Sequence, residues 1–547
     1  MADKLVHINQ VGYRRGAPIL AAVNRVESDF TVIDGATAPL LTGRTQPGVE
    51  GDRASGDTVR WADLSAVAQP GVYRLAMPEL LYSAPIRVAD HPYDELRKAL
   101  LKGLYYFRCG TALEAPIAGP WAHGVCHREP AVLYEDRSRS IDVSGGWHDA
   151  GDYGKYINPA ATAVAMLLLT WEHCSAACAA PTGIPESGGP LPDILAEAQW
   201  ELDWMLKMQR EDGAVWHKTT SWGFADFAMP EHDHEPWVVC PVSHTATGDF
   251  AAVCAMASRV YRPFDGAYAD RLLALARQAW AWLQQNPDHR PFHNPIEVTT
   301  GEYGDPDARD EELWAAVALW RATGEDSFAD AALCRLERWP DVDLTTFGWS
   351  EVGGFAAVEV LFAPDAPAAL RVPFRRAFLM EAERLAALAA ADGYRVPMAS
   401  EDYIWGSTMV LMNRAAHLIL AGKLTGDGRW DGVAEDCLHW LLGRNPLGRC
   451  YVSGFGRYPV MCQHNRPSEA DEVDAPVPGL VAGGPNFHRQ DSIARLLLPA
   501  STPPARCFVD DSGSYSTNEV TIYWNTLAAF VVSRFAVAPA AGTTAAK

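Results

Sequence analysis

Two periods of apolar spacing divide the chain. Up to about residue 90, short apolar runs ("LVHINQVGY", "FTVID", "GVYRLAM" and "SAPIRVA") alternate with Gly, Pro, Asp and Ser turn signals, the pattern of short strands in a small sandwich. At "ADHPYDEL" (89–96) the period changes, and from Tyr93 onward apolar residues recur at helical spacing. That spacing predicts helices over 94–108, 158–174, 192–210, 247–262, 266–286, 310–323, 326–338, 351–362, 368–391, 406–423, 427–443 and 519–536, with almost no strand signal between them. A dozen helices joined by irregular loops predict helix pairs arranged in a ring. The expected organisation is therefore a β-sandwich over 1–90 and an all-α domain over 91–540. Loops 109–157, 211–246 and 444–518 exceed ordinary connection length, and such loops commonly carry function. The tail "APAAGTTAAK" is expected to fray.

Length agrees with two domains, because 547 residues exceed the usual ceiling of one core. With 48% hydrophobic and 21% charged residues, the composition is that of an ordinary soluble protein. No apolar run reaches the ~20 residues a bilayer requires, and "AATAVAMLLLTW" near 160 reads as a buried helix. A net charge of -22 without a basic patch argues against nucleic acid and anionic membrane as partners. The start, "MADKLVHINQ", shows no secretory h-region, so a cytoplasmic location is expected, or a secreted one if a signal has been removed ahead of it. Eleven cysteines, several inside helices (Cys174, Cys178, Cys254, Cys334, Cys437), suit buried thiols in a reducing compartment better than a disulfide framework. Nineteen tryptophans either fill cores or line a cleft with flat apolar faces of the kind sugar rings prefer.

The long loops hold the chemistry. "GGWHDAGDYGKY" (145–156) sets Asp149 and Asp152 three positions apart, on one side of a turn. Two carboxylates so placed can grip one water, one orienting it and the other accepting its proton. The plainer alternative is that one of them caps helix 158–174. "DDSGSYSTNEVTIYWN" (510–525) puts Glu519 at the start of the last helix, where a first-turn acid is also favoured by the helix dipole. A distant acid together with a water-gripping pair is the equipment of inverting glycoside hydrolysis.

"GGWHDAGDYGKY" and "YSTNEVTIYWN" resemble two signatures of glycoside hydrolase family 9, the inverting β-1,4-glucanases with an (α/α)6 barrel. "HINQVGY" resembles the immunoglobulin-like domain that precedes the barrel in one branch of that family. A third signature, "GRNPLGRCYVSGFGRYPVMCQHNRPS" (443–468), stands where the family usually reads Gly-x-Asn-Pro and ends in His-His-Arg. The resemblance covers nearly the whole chain in the expected order. It implies an immunoglobulin-like β-sandwich followed by the (α/α)6 barrel, with Asp152 as general base, Asp149 its partner on the water and Glu519 as general acid. It also implies that His464 and Arg466 contact sugar hydroxyls. Asn465 replaces the second histidine, and "IYW" follows where many members place an aspartate, departures that touch the substrate rather than the catalysis. The implied activity is hydrolysis of β-1,4-linked oligo- or polysaccharide by a monomer without organic cofactor. A second reading is exo-action on short cello- or β-1,4-glucosamine oligomers, favoured by the apparent location and the negative charge. A non-catalytic carbohydrate-binding protein is opposed by the three retained acids, and a terpene-cyclase-like ring lacks a magnesium cluster.

Cys109, Cys126, His127 and His148 are a tetrahedral zinc set by ligand type, at a spacing unlike a compact zinc finger, or else buried thiols and loop histidines. The resemblance implies a closed structural zinc at residues like these four, pinning loop 109–157, with His123 as a spare candidate. "TGEYGDPDARDEELW" (300–314) gathers Glu302, Asp305, Asp307, Asp310, Glu311 and Glu312, either as hard ligands for calcium or as the acidic first turn of a helix. Relatives bind calcium at a similar Asp-Glu pair, here Asp310 and Glu311, with Asp305 nearby. Candidate sugar-stacking residues are Trp216, Trp222, Trp314, Tyr403, Trp405 and Tyr515, with His217 in "VWHKTTSW". "YIWGST" (403–408) resembles a family cleft segment.

Overall fold

The amino-terminal strands pair into two sheets over one shared core. The computed structural model describes residues 5–24, 27–34, 39–78 and 83–536. One sheet orders Val6–His7, Leu20–Asn24, Val59–Asp63 and Gln46–Pro47; the other orders Tyr13–Arg14, Ile86–Ala89, Gly71–Ala76, Asp29–Ile33 and Pro39–Arg44. Alternate residues point inward, so Val23 and Ala62 of the first sheet meet Val32, Leu75 and Val88 of the second. This is the sheet-rich domain that the short alternating runs predict.

Twelve long helices follow, and the predicted spans match them to within about three residues at most ends. Six of them, Ile157–Cys174, His244–Tyr261, Arg309–Thr323, Gly353–Leu361, Ser407–Thr425 and Ile522–Ala536, touch in that order, and the last touches the first. Each of the six also packs against one of Asp193–Lys207, Gly266–Gln285, Asp326–Arg338, Ala368–Ala391, Arg429–Leu441 and Asp94–Tyr105 respectively. Sequence pattern sorts the two sets. Ile157–Cys174 is buried almost all round, whereas Ala368–Ala391 buries only the stripe Leu370, Phe374, Phe378, Ala382, Leu385 and Ala389.

Two expectations need correcting. The last helix begins at Ile522, and Glu519 lies ahead of it in extended backbone after the short helix Tyr515–Asn518. The helical part also contains a five-stranded sheet, in the order Ser140–Ile141, Ala131–Leu133, Trp237–Val239, Lys218–Ser221, Lys155–Tyr156. Strands of two to four residues are too short for a period of two to register. This sheet stitches two of the long loops together. Among the described residues no helix is long and apolar enough to cross a membrane.

The "HINQVGY" stretch joins the two parts. Asn9 is fully buried; its carbonyl oxygen accepts the N–H groups of Val11 (2.9 Å) and Gly12 (3.1 Å), and its amide faces Tyr93 Oη (3.2 Å) and His439 Nδ1 (2.9 Å). Arg14 forks onto Glu435 (2.8 and 2.7 Å). Asn9→Ala strands at least one buried polar group and should cost roughly 2–3 kcal/mol. Thermal unfolding should register that loss; an unchanged melting temperature would show that the junction does not depend on this side chain.

Candidate active site

The aspartate turn is shaped by its own backbone. The Asp149 N–H donates to the Gly154 carbonyl (2.9 Å), and the Gly154 N–H donates to Asp152 Oδ2 (3.1 Å). Neither aspartate caps the following helix, whose N-cap is Tyr156 with no side-chain bond. Between them, Gly151 cannot carry a side chain, because a Cβ there would lie 2.3 Å from the His464 carbonyl oxygen. The Gly151 carbonyl in turn accepts the Arg466 N–H (3.1 Å) and Nη1 (2.8 Å). The His464 N–H donates to the Asn518 carbonyl (2.9 Å), and the Ile522 N–H donates to the Asp149 carbonyl (3.0 Å). Three stretches far apart in sequence are thereby bound main chain to main chain. Asp149, Asp152 and Glu519 line one cavity of about 700 Å³.

The environments of the three carboxyls differ. Asp149 is 1% exposed; its Oδ2 accepts the Tyr303 hydroxyl (2.6 Å), and its Oδ1 has no partner among the described residues. Burial pushes its pKa well above the usual carboxylate range, against the Tyr303 hydrogen bond and with the help of the nearby Asp152 charge. Glu519 is likewise raised, by enclosure first and then by repulsion from Asp152 and Asp149; the Trp405 indole N–H (3.0 Å to Oε2) opposes this. Asp152 is less buried than Asp149. A proton-retaining acid in the same cavity as an aspartate pair supplies the two ends that acid–base chemistry needs.

Of the expected sugar contacts, Trp405 and Tyr515 are each 37% exposed, with rings 5.3 Å apart. His464 is half-buried; its Nδ1 donates to the Ser512 carbonyl (2.6 Å), which fixes the tautomer. Four others stand elsewhere. Arg466 is a buried strut, its guanidinium held through Nη1 and Nε by the carbonyls of Gly151 and Ala225 (2.8 Å). His217 is buried between Ser243 Oγ (2.8 Å) and the Glu302 carbonyl (3.0 Å), stacked on Phe292. Trp314 stacks on Phe355 inside the helical core, and Tyr403 is buried beside Trp440. Residue type alone does not tell such core aromatics from cleft ones, because the same side chains serve both.

The sequence reading missed Tyr303, Trp349 and Phe224, all of which line the cavity. Tyr303 is the partner of Asp149 and adopts a left-handed φ of +50°, a strained conformation that the surrounding fold must enforce. Its one trace in the sequence is an aromatic-glycine pair inside an acidic run.

Two candidate metal centres flank the cavity. Donor atoms of Cys109, Cys126, His127 and His148 all lie within 4.8 Å of one another, with His127 Nδ1 3.1 Å from His148 Nε2. Tetrahedral zinc separates its nitrogen and sulfur donors by about 3.3–3.8 Å, so two thiols and two ring nitrogens converging here fit that ion. Asp233 holds the far nitrogen of His127 (3.1 Å), the outer contact that orients a ligating imidazole. His123 instead points its Nδ1 at the Gly124 carbonyl.

The acidic run divides. Asp307 pairs with Arg309, Glu312 with Arg335 and Glu302 with His293, while Asp305, Asp310 and Glu311 are buried together with Asp249. Both Glu311 oxygens, Asp305 Oδ2 and Asp249 Oδ1 have no hydrogen-bond partner among the described residues, as oxygens awaiting a hard cation would. Burial and then mutual repulsion raise Asp305 to about 7 and Glu311 and Asp249 well above their usual range; burial raises Asp310 to about 6.

The family model of glycosyl hydrolase family 9 matches residues 93–532, and that of the cellulase N-terminal ig-like domain matches residues 2–80. A cellodextrinase of Butyrivibrio fibrisolvens is 36% identical over 97% of this chain and 99% of its own. The crystal structure of a single-mutant thermostable endoglucanase from Alicyclobacillus acidocaldarius superimposes with a TM-score of 0.92 at 39% identity, covering 97% of this chain and 99% of that one. A zinc-binding triple mutant of a family 9 endoglucanase does so with a TM-score of 0.92 at 34% identity, over 96% and 100%.

The four buried carboxyls set a pH dependence. Their folded pKa values exceed the unfolded values of 3.8 and 4.5, so between those and about 7 the folded chain holds protons that the unfolded chain has released. Stability of chelator-treated protein should therefore fall as pH rises through that window. Melting temperatures measured from pH 4 to 8 check this, and Glu311→Gln should flatten the fall; a slope unaltered by Glu311→Gln would remove the cluster as its origin.

Proposed function

The chain belongs to glycosyl hydrolase family 9 and is a glycoside hydrolase of β-1,4-glucans, and on that premise we propose that its cleft cuts the chain endo-wise, with inversion at the anomeric carbon. The observation that carries the reading is one cavity holding an aspartate pair with an unpartnered oxygen opposite a proton-retaining Glu519. A water gripped by Asp149 Oδ1 and Asp152 loses its proton to Asp152 as its oxygen attacks the anomeric carbon. The bond to the departing sugar breaks, and Glu519 supplies the proton that the leaving oxygen takes up. Tyr303 holds Asp149 in place, and the Trp405 indole fixes Glu519 through Oε2. The cellodextrinase relative supports soluble cello-oligosaccharides among the substrates, with the exo-acting alternative second.

The same premise supports an (α/α)6 barrel made of the six touching helices and their six outer partners, with the domain boundary near residue 90. The Cys/His set would hold a structural zinc, closed to water, whose binding energy pins loop 109–157. Asp305, Asp310 and Glu311, with Asp249, would hold calcium. Eleven free thiols, most of them buried, support a reducing compartment. We take the working unit to be a monomer.

Asp152→Ala and Glu519→Ala should each lower the rate on carboxymethylcellulose by roughly a thousandfold or more, with melting temperatures little changed. Proton NMR of the first-formed product from wild-type enzyme should show the α-anomer, and a β-anomer would sink the inverting assignment. Metal analysis of gently purified protein should find close to one zinc per chain, lost in His148→Ala; less than half an equivalent would undo the zinc reading.

A further inference from the structure

Two phenyl rings beside the cleft stand largely outside the core. Phe224 is 56% exposed and Phe227 44% exposed, although burying such a side chain is worth roughly 2 kcal/mol. They do not belong to a loosely held loop. The Ala225 carbonyl accepts Arg466 Nε (2.8 Å), and the Ala228 carbonyl accepts the Tyr153 hydroxyl. The buried Arg466 guanidinium lies 5.7 Å and 5.3 Å from the two ring centroids, so it backs both rings from the protein side. Phe227 meets His464 edge-on at 5.3 Å, and Phe224 lines the catalytic cavity. The wall therefore borders the cavity that the three carboxyls line.

The same segment is tied down at its far end. Glu231 Oε1 accepts the Gly124 N–H (3.0 Å), and Asp233 Oδ2 accepts from His127 Nε2 (3.1 Å). His127 presents its other nitrogen to the Cys/His cluster. One carboxylate thus orients a cluster imidazole and anchors the segment that carries the rings.

We propose that Phe224 and Phe227 are a stacking wall for glucosyl units one or two sugars beyond the bond being cut, and that Asp233 is the positioning residue that sets this wall from the Cys/His cluster. The inference rests on the β-1,4-glucan reading above. A β-1,4-linked glucosyl unit carries its hydroxyls around the ring edge and its C–H groups on both faces, which an exposed phenyl face matches. Arg466, backing the rings, keeps them from collapsing into the core.

The test uses the full chain with Glu519→Gln as inactive parent, titrated calorimetrically with cellohexaose and cellobiose. Adding Phe224→Ala and Phe227→Ala together should weaken cellohexaose about tenfold, or about 1.4 kcal/mol, and change cellobiose, short enough to stay at the carboxyls, by less than about threefold. Phe224→Tyr with Phe227→Tyr, which keeps the rings, should restore binding. Asp233→Asn should weaken cellohexaose about threefold with zinc content unchanged. Equal cellohexaose affinity in the alanine variant and its parent overturns the wall, as does a tyrosine variant as weak as the alanine one. Unaltered affinity in Asp233→Asn, zinc retained, overturns the positioning role alone. A parent that binds neither sugar overturns the glucan reading and the wall together.

Discussion

Closure of the inner helical cycle is the constraint from which the rest follows. The last inner helix touches the first, and the seam is fixed where the Ile522 N–H meets the Asp149 carbonyl. Asp152, Tyr303, Trp349, Trp405 and Glu519 each stand a few residues ahead of an inner helix, so closing the cycle delivers them to one cavity. Helix amino termini carry partial positive charge, and several of them converge on three carboxyls that would otherwise repel one another. The dipoles ease that crowding, but burial first and the remaining repulsion after it still raise Asp149 and Glu519 well above the usual carboxylate range.

The cavity is braced from two sides by neighbours in sequence. His148 of the Cys/His set directly precedes Asp149, and Asp305 of the buried acidic set lies two residues after Tyr303. Asp149 is thereby fixed through its backbone on one side and through its carboxyl on the other. Lys155, buried and donating to the Gly145 carbonyl (2.7 Å), ties the same turn to the small sheet. Order at the water-binding pair is thus a property of the loops as a connected set.

Periodicity made the architecture legible. Twelve helices could be bounded because their stripes are long, and the three acids stood out because their surroundings are polar and poor in helix formers. The Cys/His set stood out by residue type, and it was the family resemblance that pointed it to zinc. What escaped were features that exist only in three dimensions. Tyr303 takes its place through a left-handed backbone inside an acidic run, and Arg466 bridges the backbone carbonyls of Gly151 and Ala225, a contact no local motif announces. Trp314, Tyr403 and His217 have the composition of cleft residues but face inward. The little sheet vanished from the pattern because its strands are shorter than one alternation can register.

Gln10 gives the amino-terminal domain a different standing from that of an appended module. Its amide donates to the Gly448 carbonyl (2.6 Å), and its oxygen accepts the N–H groups of Arg457 (2.8 Å) and Tyr458 (2.9 Å). Those contacts hold the stretch that runs on to His464 and Arg466. The sandwich therefore works as a splint set against the back of a catalytic loop. Shuffling this domain for another of the same shape would leave that loop unsplinted, so the two parts are bound to change as a pair, and a fused partner belongs at the opposite end of the chain.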